Sequence, residues 1–342
     1  MRKALILIAA AVSAVLTGGL GQAQAQAPQK VSIGALRLSS SGPVFIARDK
    51  GYFGAQGLEV EVKIFTAAQQ VPVAVASGDI DLGVTGLTAG FFNLAGRGAL
   101  KIIAAQSREA PGFPLVAYMV TNQAHEAGFR SLRDFVGKRV GITTVGSTFH
   151  YSLGLLAKKY GFDLAGVTMV PLQALPNMAA AFKGGQVDSI LAPATMARSL
   201  EADKAGRILG WVGDETPWQL GALFTSPRMI DTRRPTVERF VRAWQQATRD
   251  YNRAFNAKDS SGQVVKGPGY DEILAIVAKA MEQPPERVAI GLPFIDAEAR
   301  LDVGDIHSQV AFWQAQAQVD RTVDAKSVLD LSFVQGHMNV PK

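Results

Sequence analysis

One short stretch near the middle of the chain concentrates residue types that could do chemistry. Residues 141–152 read GITTVGSTFHYS and place serine and threonine hydroxyls beside His150, directly after an apolar run. Ser147 or Ser152 next to His150 could act as a nucleophile and its base, which is the chemistry of a hydrolase. The stretch lacks the Gly-x-Ser-x-Gly turn that exposes a nucleophilic serine, and no nearby carboxylate could orient the histidine. Hydrolysis is therefore the weaker interpretation.

The same residues could instead bind an anion. The apolar pattern predicts a helix over residues 148–160, which puts Ser147 and Thr148 at its first turn. The N–H groups of a first turn lack partners within the helix and form the positive end of its dipole, so oxyanions bind there. Two alternatives stay open: Ser147 could be an ordinary N-cap, and His150 could be a ligand donor or a supporting histidine.

A second hydroxyl cluster has the same form near the start of the chain. Ser39–Ser41 follow a predicted strand over residues 31–37 and precede Pro43, which suits the first turn of a helix. Arg37, at the end of that strand, could clamp a carboxylate or sulfonate with two hydrogen bonds, or could form a surface ion pair. The two clusters predict two helix starts that face one ligand.

The elements that position both clusters are those of an α/β protein. Further strands are predicted over residues 58–65, 81–85, 139–143, 167–172 and 188–191, with helices over 67–77 and 177–183. Gly78 and Gly185 are 107 residues apart, as are Asp81 and Asp188 (185 − 78 = 188 − 81 = 107). We expect each glycine to end a helix and each aspartate to accept backbone hydrogen bonds. The repeat predicts two β-α-β-α-β lobes, with chance similarity as the alternative.

The loops after the strands indicate where a ligand would bind. In parallel sheets these loops converge on one crevice, and here they are residues 37–42, 66–67, 86–88, 146–150 and 192–195. Their side chains are small or hydroxylated and hardly any is charged. Such a crevice suits hydrogen bonding to a ligand between two lobes, whereas acid–base catalysis needs positioned titratable groups.

Several motifs carry a family resemblance. The segments PVFIARDKGYF (43–53), GLEV (57–60), SGDID (77–81), SLRDFVGKRVG (131–141) and GQVD (185–188) stand in matching order. Over residues from about 30 to 225 the chain resembles the periplasmic binding proteins for nitrate, sulfonate, taurine and thiamine-pyrimidine uptake. The resemblance implies a bilobed type II periplasmic binding fold, with two crossover segments and a ligand enclosed between the lobes. It also implies delivery to an inner-membrane ABC permease.

The resemblance also implies which residues face the ligand. Carried over position by position, these are Ser39, Ser40, Ser41, Thr66, Gln69, Gly86, Leu87, Thr88, Ser147, Thr148, His150, Pro193 and Thr195. Arg37 and Trp218 complete the candidate set, and Trp218, Tyr118 and Phe149 could stack against an apolar part of the ligand. Many relatives carry a Glu-Pro pair where this chain has Ala192 and Pro193, so an amino-sulfonate such as taurine would lack its ammonium partner.

The composition of the chain and its first residues indicate where in the cell the protein is located. Residues 1–25 have a basic start, an apolar run and small residues before Ala25, which predicts a cleaved signal peptide; a membrane anchor is the alternative. Removal would leave a charge of 33 − 29 = +4, scattered along the chain, so no nucleic-acid partner is predicted. Because the chain has no cysteine, disulfides, thiolate metal sites and a lipidated cysteine are excluded. The free periplasm is the predicted location.

Domain boundaries follow from the predicted crossovers at residues 118–121 and 214–221. Residues 26–118 and 222–342 would form lobe 1, with C-terminal helices over 234–257, 271–281 and 306–317 packed on it. Residues 119–221 would form lobe 2, including the crossovers.

The predicted function is that of a monomeric solute-binding component of an ABC importer, which holds a small organic anion, a sulfonate or carboxylate, in the cleft. No catalytic residue, metal site or cofactor is predicted. The alternatives are binding of a thiamine-pyrimidine precursor, an enzyme on the same fold, and the effector module of a regulator. The enzymes that resemble the family use a lysine-bound cofactor, histidine and iron, and no lysine falls in the cleft loops.

Overall fold

The computed structural model describes residues 27–338, which form two α/β lobes; the predicted signal peptide lies outside this range. The strands are β1 Gln29–Leu36, β2 Leu58–Phe65, β3 Leu82–Gly86, β4 Lys101–Ala105, β5 Val116–Thr121, β6 Arg139–Ile142, β7 Thr168–Pro171, β8 Ser189–Pro193, β9 Gly206–Trp211 and β10 Gly221–Thr225. The helices are α1 Gly42–Asp49, α2 Tyr52–Ala55, α3 Gln70–Ser77, α4 Ala89–Gly96, α5 Asn122–Glu126, α6 Thr148–Tyr160, α7 Leu175–Lys183, α8 Ala194–Ala202, α9 Val212–Glu215, α10 Pro227–Phe255, α11 Tyr270–Met281, α12 Pro285–Ala289 and α13 Val303–Ala315.

Each lobe is built on a five-stranded sheet, and the two sheets have matching topology. The first sheet has the order β2-β1-β3-β10-β4 and the second has the order β7-β6-β8-β5-β9. The first three strands of each sheet are parallel, while β10 and β5 run antiparallel to their neighbours. The α/β class and the bilobed repeat predicted from the sequence are confirmed.

The repeated aspartates occupy equivalent places in the two sheets. A carboxylate oxygen of Asp81 accepts a hydrogen bond from the Ser32 N–H at 2.8 Å, and Asp188 accepts one from the Arg139 N–H at the same distance. Gly78 ends α3 in the left-handed conformation, with φ of 84°, which glycine adopts without steric cost. These residues fix where the strands start and how the helices end, as the repeat predicts.

The structure shows two crossover segments between the lobes, and the first does not lie where the sequence pattern predicts it. Residues 106–115 lead from β4 to β5, and residues 216–220 lead from α9 to β10. Backbone hydrogen bonds join the two segments, from Glu109 N to Trp218 O at 2.9 Å and from Trp218 N to Glu109 O at 3.2 Å. The prediction of a first crossover at residues 118–121 was wrong, because these residues are buried in β5 between β8 and β9.

The C-terminal helices pack in two different places. α10 and α11 contact α1 of the first lobe, as predicted, and α10 is kinked at Arg233, just before Pro235. α13 contacts α4 of the first lobe and also reaches the second lobe, where Trp313 packs against the rings of His150 and Tyr151 on α6. Among the described residues, no helix is both long and apolar enough to cross a membrane.

Candidate functional site

A cavity of about 60 Å³ lies between the lobes. Both lobes and both crossovers contribute to its wall. The lining residues are Leu36, Leu38, Ser39, Ser40, Ser41, Ala67, Ala68, Thr85, Gly86, Gln106, Leu115, Val116, Thr143, Thr148, Phe149, Leu175, Pro193, Ala194, Thr195 and Leu220. No ionisable side chain is among them, so the wall offers hydroxyls, one amide, helix starts and apolar groups.

The first lobe presents its serine cluster to the cavity. Ser39, Ser40 and Ser41 form one turn of 3-10 helix that leads into α1, and all three are buried. Neither the 3-10 turn nor α1 has a side-chain cap, so these hydroxyls are not used to cap a helix. Ser39 Oγ donates to the carbonyl of Gly291, while Ser40 and Ser41 lie at the start of α1.

The second lobe presents two helix starts. Ser147 is the N-cap of α6, where its Oγ accepts from the N–H of His150 at 3.4 Å, and Thr148 and Phe149 line the cavity. α8 starts after Pro193 without a side-chain cap, and Thr195 lies in its first turn. Free N–H groups at both starts give this wall a positive electrostatic character.

Sequence reasoning missed several lining residues. Gln106, Leu115 and Val116 belong to the first crossover and the start of β5, a stretch in which the sequence pattern predicts no element. Thr85 and Thr143 are the last residues of predicted strands and lie one and three residues before the predicted ligand-binding loops 86–88 and 146–150. Their signal is their position at the carboxyl end of a parallel strand.

His150 lies behind the cavity wall rather than in it. It is buried, its Nδ1 accepts a hydrogen bond from the Gly146 N–H at 3.1 Å, and its ring packs against Phe312 and Trp313. Burial lowers the pKa of His150 to about 4, so the imidazole is neutral at physiological pH. Because Nδ1 already accepts a backbone hydrogen bond, no serine–histidine pair forms through it.

Three candidate ligand-binding residues, one basic and two aromatic, make their contacts outside the cavity. Arg37 forms an ion pair with Glu282 at the surface. Trp218 is fully buried against Tyr151, at 4.6 Å between ring centres, because the second crossover packs into the core. Tyr118 is equally buried and donates its hydroxyl to the Ser152 carbonyl at 3.1 Å. Neither Arg37 nor Trp218 is among the residues that line the cavity, and for Arg37 the structure shows the surface ion pair that the sequence left as the alternative.

Four further candidates lie beside the cavity rather than in its wall. Thr66 is exposed, and Gln69 donates from Nε2 to the carbonyl of Gln173 at 3.1 Å, which joins the two lobes at the cleft edge. Leu87 packs in the core, and Thr88 caps α4 through a hydrogen bond from the Phe91 N–H.

The lobes are closed around the cavity. The Ala89 N–H donates to the Gly146 carbonyl across the cleft at 2.8 Å. A Cβ placed on Gly86 would lie 2.7 Å from Cγ2 of Thr148, so the approach of the lobes at this point needs glycine. The size of the cavity thus depends on how closely the two lobes approach each other.

Comparison with known proteins identifies the family. A family profile described as NMT1/THI5 like matches residues 39–253. The chain belongs to this family. A Schizosaccharomyces pombe 4-amino-5-hydroxymethyl-2-methylpyrimidine phosphate synthase is 24% identical over 156 residues, which cover 43% of this chain and 39% of that protein. The chain spans about two fifths of the length of the curated relatives that it matches.

Solved structures of binding proteins share the fold of this NMT1/THI5-like chain. The alkanesulfonate-binding protein SsuA from Xanthomonas axonopodis pv. citri, bound to MOPS, has a TM-score of 0.71 and 20% identity, covering 89% of this chain and 99% of its own. The nitrate-binding protein NrtA from Synechocystis PCC 6803 has a TM-score of 0.67 and 13% identity, covering 88% of this chain and 84% of its own. The periplasmic binding protein fold implied by the motifs is confirmed.

Proposed function

We propose that the protein binds a small organic anion, a sulfonate or carboxylate, between its lobes and delivers it to an inner-membrane ABC permease from the periplasm. The observation that carries this proposal is the cavity between the lobes, whose wall offers hydroxyls and the starts of three helices, α1, α6 and α8, but no ionisable side chain. Donors of this kind bind oxyanions. A wall without titratable groups also favours binding over acid–base catalysis.

The size of the cavity supports a small ligand. Its volume in the closed state is about 60 Å³, well below the volume of a pocket for a drug-sized ligand. The apolar residues Leu36, Phe149 and Leu175 can contact a short hydrocarbon part, while Ser40 and Thr148 can donate to an anionic head. Two proteins with this fold, SsuA and NrtA, are named as alkanesulfonate-binding and nitrate-binding proteins.

A second candidate ligand is an aminopyrimidine related to thiamine precursors. Gln106 is buried in the cavity wall and its Oε1 has no hydrogen-bond partner among the described residues. An anion offers no donor to this oxygen, whereas an exocyclic amino group does, and Phe149 could stack on the ring. The similarity to the fission-yeast pyrimidine synthase fits this candidate.

Ligand-dependent thermal unfolding tests the proposed function. We expect ethanesulfonate or a short carboxylate to raise the Tm, since a ligand at about 100 times its Kd stabilises the folded state by about 2.7 kcal/mol. A shift with 4-amino-5-hydroxymethyl-2-methylpyrimidine alone, lost in Gln106→Leu, would favour the second candidate. An unchanged Tm with sulfonates, carboxylates and pyrimidines would contradict both.

A further inference from the structure

A second and larger cavity shares no lining residue with the cavity between the lobes. Its volume is about 850 Å³, within the size range of small-molecule sites. We call it the rear groove. It is lined by the crossover residues Arg108, Ala110, Pro111, Phe113, Thr216 and Pro217, by Tyr151, Leu155, Lys158 and Lys159 of α6, and by Lys258, Phe294, Asp302, Asp305, Ser308 and Met338. Its residues thus come from the crossovers, the second lobe and the C-terminal region.

The buried floor of the rear groove holds two carboxylates and one guanidinium. Nη1 of Arg108 lies 3.4 Å from Oδ2 of Asp302. Asp305 has only neutral donors on its Oδ2, the Gln219 N–H at 2.9 Å and the Gln309 amide at 2.8 Å. Arg108 also acts on Asp305 through its charge, but among the described residues that line the floor two carboxylates face one guanidinium, which leaves one negative charge in excess.

The ionisation of the floor residues reflects this imbalance. Burial raises the pKa of Asp305 to about 6, against the hydrogen bonds from Gln309 and Gln219, and the charge of Asp302 adds to the rise. Burial, with the charges of Asp305 and Asp302, also raises the pKa of Tyr151, so its phenol lies within the field of both carboxylates. The floor would be stabilised by a cation that donates hydrogen bonds.

The walls are aromatic and the outer part is basic. The rings of Phe113 and Phe294 meet edge to face with centres 5.4 Å apart. Lys158 and Lys258 are exposed, and Nζ of Lys258 lies 5.6 Å from the centre of the Phe113 ring. Lys159 is different, because its Nζ pairs with Glu215 at 2.5 Å.

We propose that the rear groove binds an elongated zwitterion, with its ammonium at Asp302 and Asp305, its carboxylate at Lys158 and Lys258, and an apolar body packed against the rings of Phe113 and Phe294. An ω-amino acid with an apolar spacer has this distribution, and so does a short apolar peptide. A simple anion would meet the floor carboxylates, and a simple cation would meet the outer lysines. Only a ligand that carries an ammonium at one end and a carboxylate at the other can pair with the floor carboxylates and with the outer lysines at the same time.

Three related compounds test the charge requirement by isothermal titration calorimetry at neutral pH. The probe is 4-(aminomethyl)benzoate, and the controls are benzoate and benzylamine, which each keep one charge and the ring. We expect the zwitterion to bind at least about tenfold more tightly than either control, as paired charge-assisted hydrogen bonds require. Equal binding of benzoate and the zwitterion would overturn the proposal, as would no binding of the zwitterion at millimolar concentration.

Substitutions test whether the probe binds in the rear groove. Lys258→Gln should remove most of the preference for the zwitterion over benzylamine, and Asp305→Asn should remove the preference over benzoate. Lys183→Gln is the matched control, because Lys183 is exposed on the second lobe, pairs with Asp203 and lies outside the groove. If Asp305→Asn does not fold, Lys258→Gln alone decides. Thr148→Val should leave probe affinity unchanged, and a loss there would place the probe in the interlobe cavity and overturn the proposal.

Discussion

Thr148 is the first residue of α6 and lines the interlobe cavity. Its Cγ2 also lies close to Gly86 of the first lobe. Thr148→Val keeps the shape of the side chain and removes its donor. We expect about a tenfold loss of affinity for the cleft ligand, since a hydrogen bond to a charged group is worth about 1.5–3 kcal/mol. Calorimetry measures the loss, and the exposed Thr168→Val serves as control. Equal affinities in the two variants would remove Thr148 from the site.

Gly86 sets how closely the lobes can approach. In Gly86→Ala the new methyl group would meet Cγ2 of Thr148 at 2.7 Å, so the closed state must widen. We expect ligand affinity to fall by about tenfold, or ~1.4 kcal/mol. Gly90→Ala is the control, because its Cβ would meet no atom closer than 3.8 Å. Unchanged affinity in Gly86→Ala would show that the lobes close differently around the ligand.

His150 and Asp305 make opposite contributions to stability in mild acid. The pKa of His150 falls from 6.5 to about 4 on folding, so the unfolded chain binds more protons between these values and stability falls as the pH falls through this window. The pKa of Asp305 rises from 3.8 to about 6, so the folded chain binds more protons and stability rises as the pH falls from about 6 to 3.8.

The two contributions can be separated by substitution. In Asp305→Asn we expect the free energy of unfolding to drop more steeply between neutral pH and about pH 4 than in the parent protein, because the opposing contribution of Asp305 is gone while that of His150 remains. Urea unfolding at a series of pH values measures the slope. A shallower slope in Asp305→Asn would refute the assigned directions.

At the scale of elements, Asp81 and Asp188 stand just before β3 and β8, and each accepts a hydrogen bond from the backbone of the neighbouring strand. Asp188 accepts from the Arg139 N–H and pairs with the Arg139 guanidinium at 2.9 Å. Asp188→Ala should reduce the free energy of unfolding by about 1–3 kcal/mol, because a backbone donor loses its partner. Asp203→Ala removes an exposed pair with Lys183 and should cost under about 1 kcal/mol. Similar losses measured by urea unfolding would contradict this difference.

Elements with a local signal were predicted from the sequence, and those defined by distant pairing were not. β2 and α6 match the predicted residues because alternation and a capped amphipathic pattern mark their ends. β5 was missed because a fully buried strand has no alternation, and its position between β8 and β9 depends on residues far along the chain.

The same distinction explains the candidate site. Ser39–Ser41, Gly86, Thr148, Pro193 and Thr195 line the cavity, and each follows a strand that the sequence pattern revealed. Gln106 was missed because it belongs to a crossover without periodicity. The role of each lining residue in ligand binding stays a prediction.

For the molecule as a whole, contacts at the cleft edge hold the lobes together. Arg287, on α12, which packs against α11 of the first lobe, donates from Nη1 to Ser199 Oγ on α8 of the second lobe at 2.6 Å. In Arg287→Ala we expect ligand affinity to fall by about two- to tenfold, mainly through faster dissociation, because the closed state loses one hydrogen bond. Stopped-flow tryptophan fluorescence measures the rate. Arg198→Ala, which removes a pair within α8, is the control and should leave dissociation unchanged.

The placement of β10 imposes an order on folding. All strands of the second sheet lie within residues 116–211, whereas the first sheet needs β10, residues 221–225, between β3 and β4. The lobe that emerges first from a ribosome or a translocation channel therefore cannot complete its sheet until the other lobe has followed. The edges of β3 and β4 stay unpaired until more than a hundred further residues have emerged. Unpaired strand edges can form hydrogen bonds with other chains. A chain that halts before residue 221 is thus left with an aggregation-prone half rather than a working lobe.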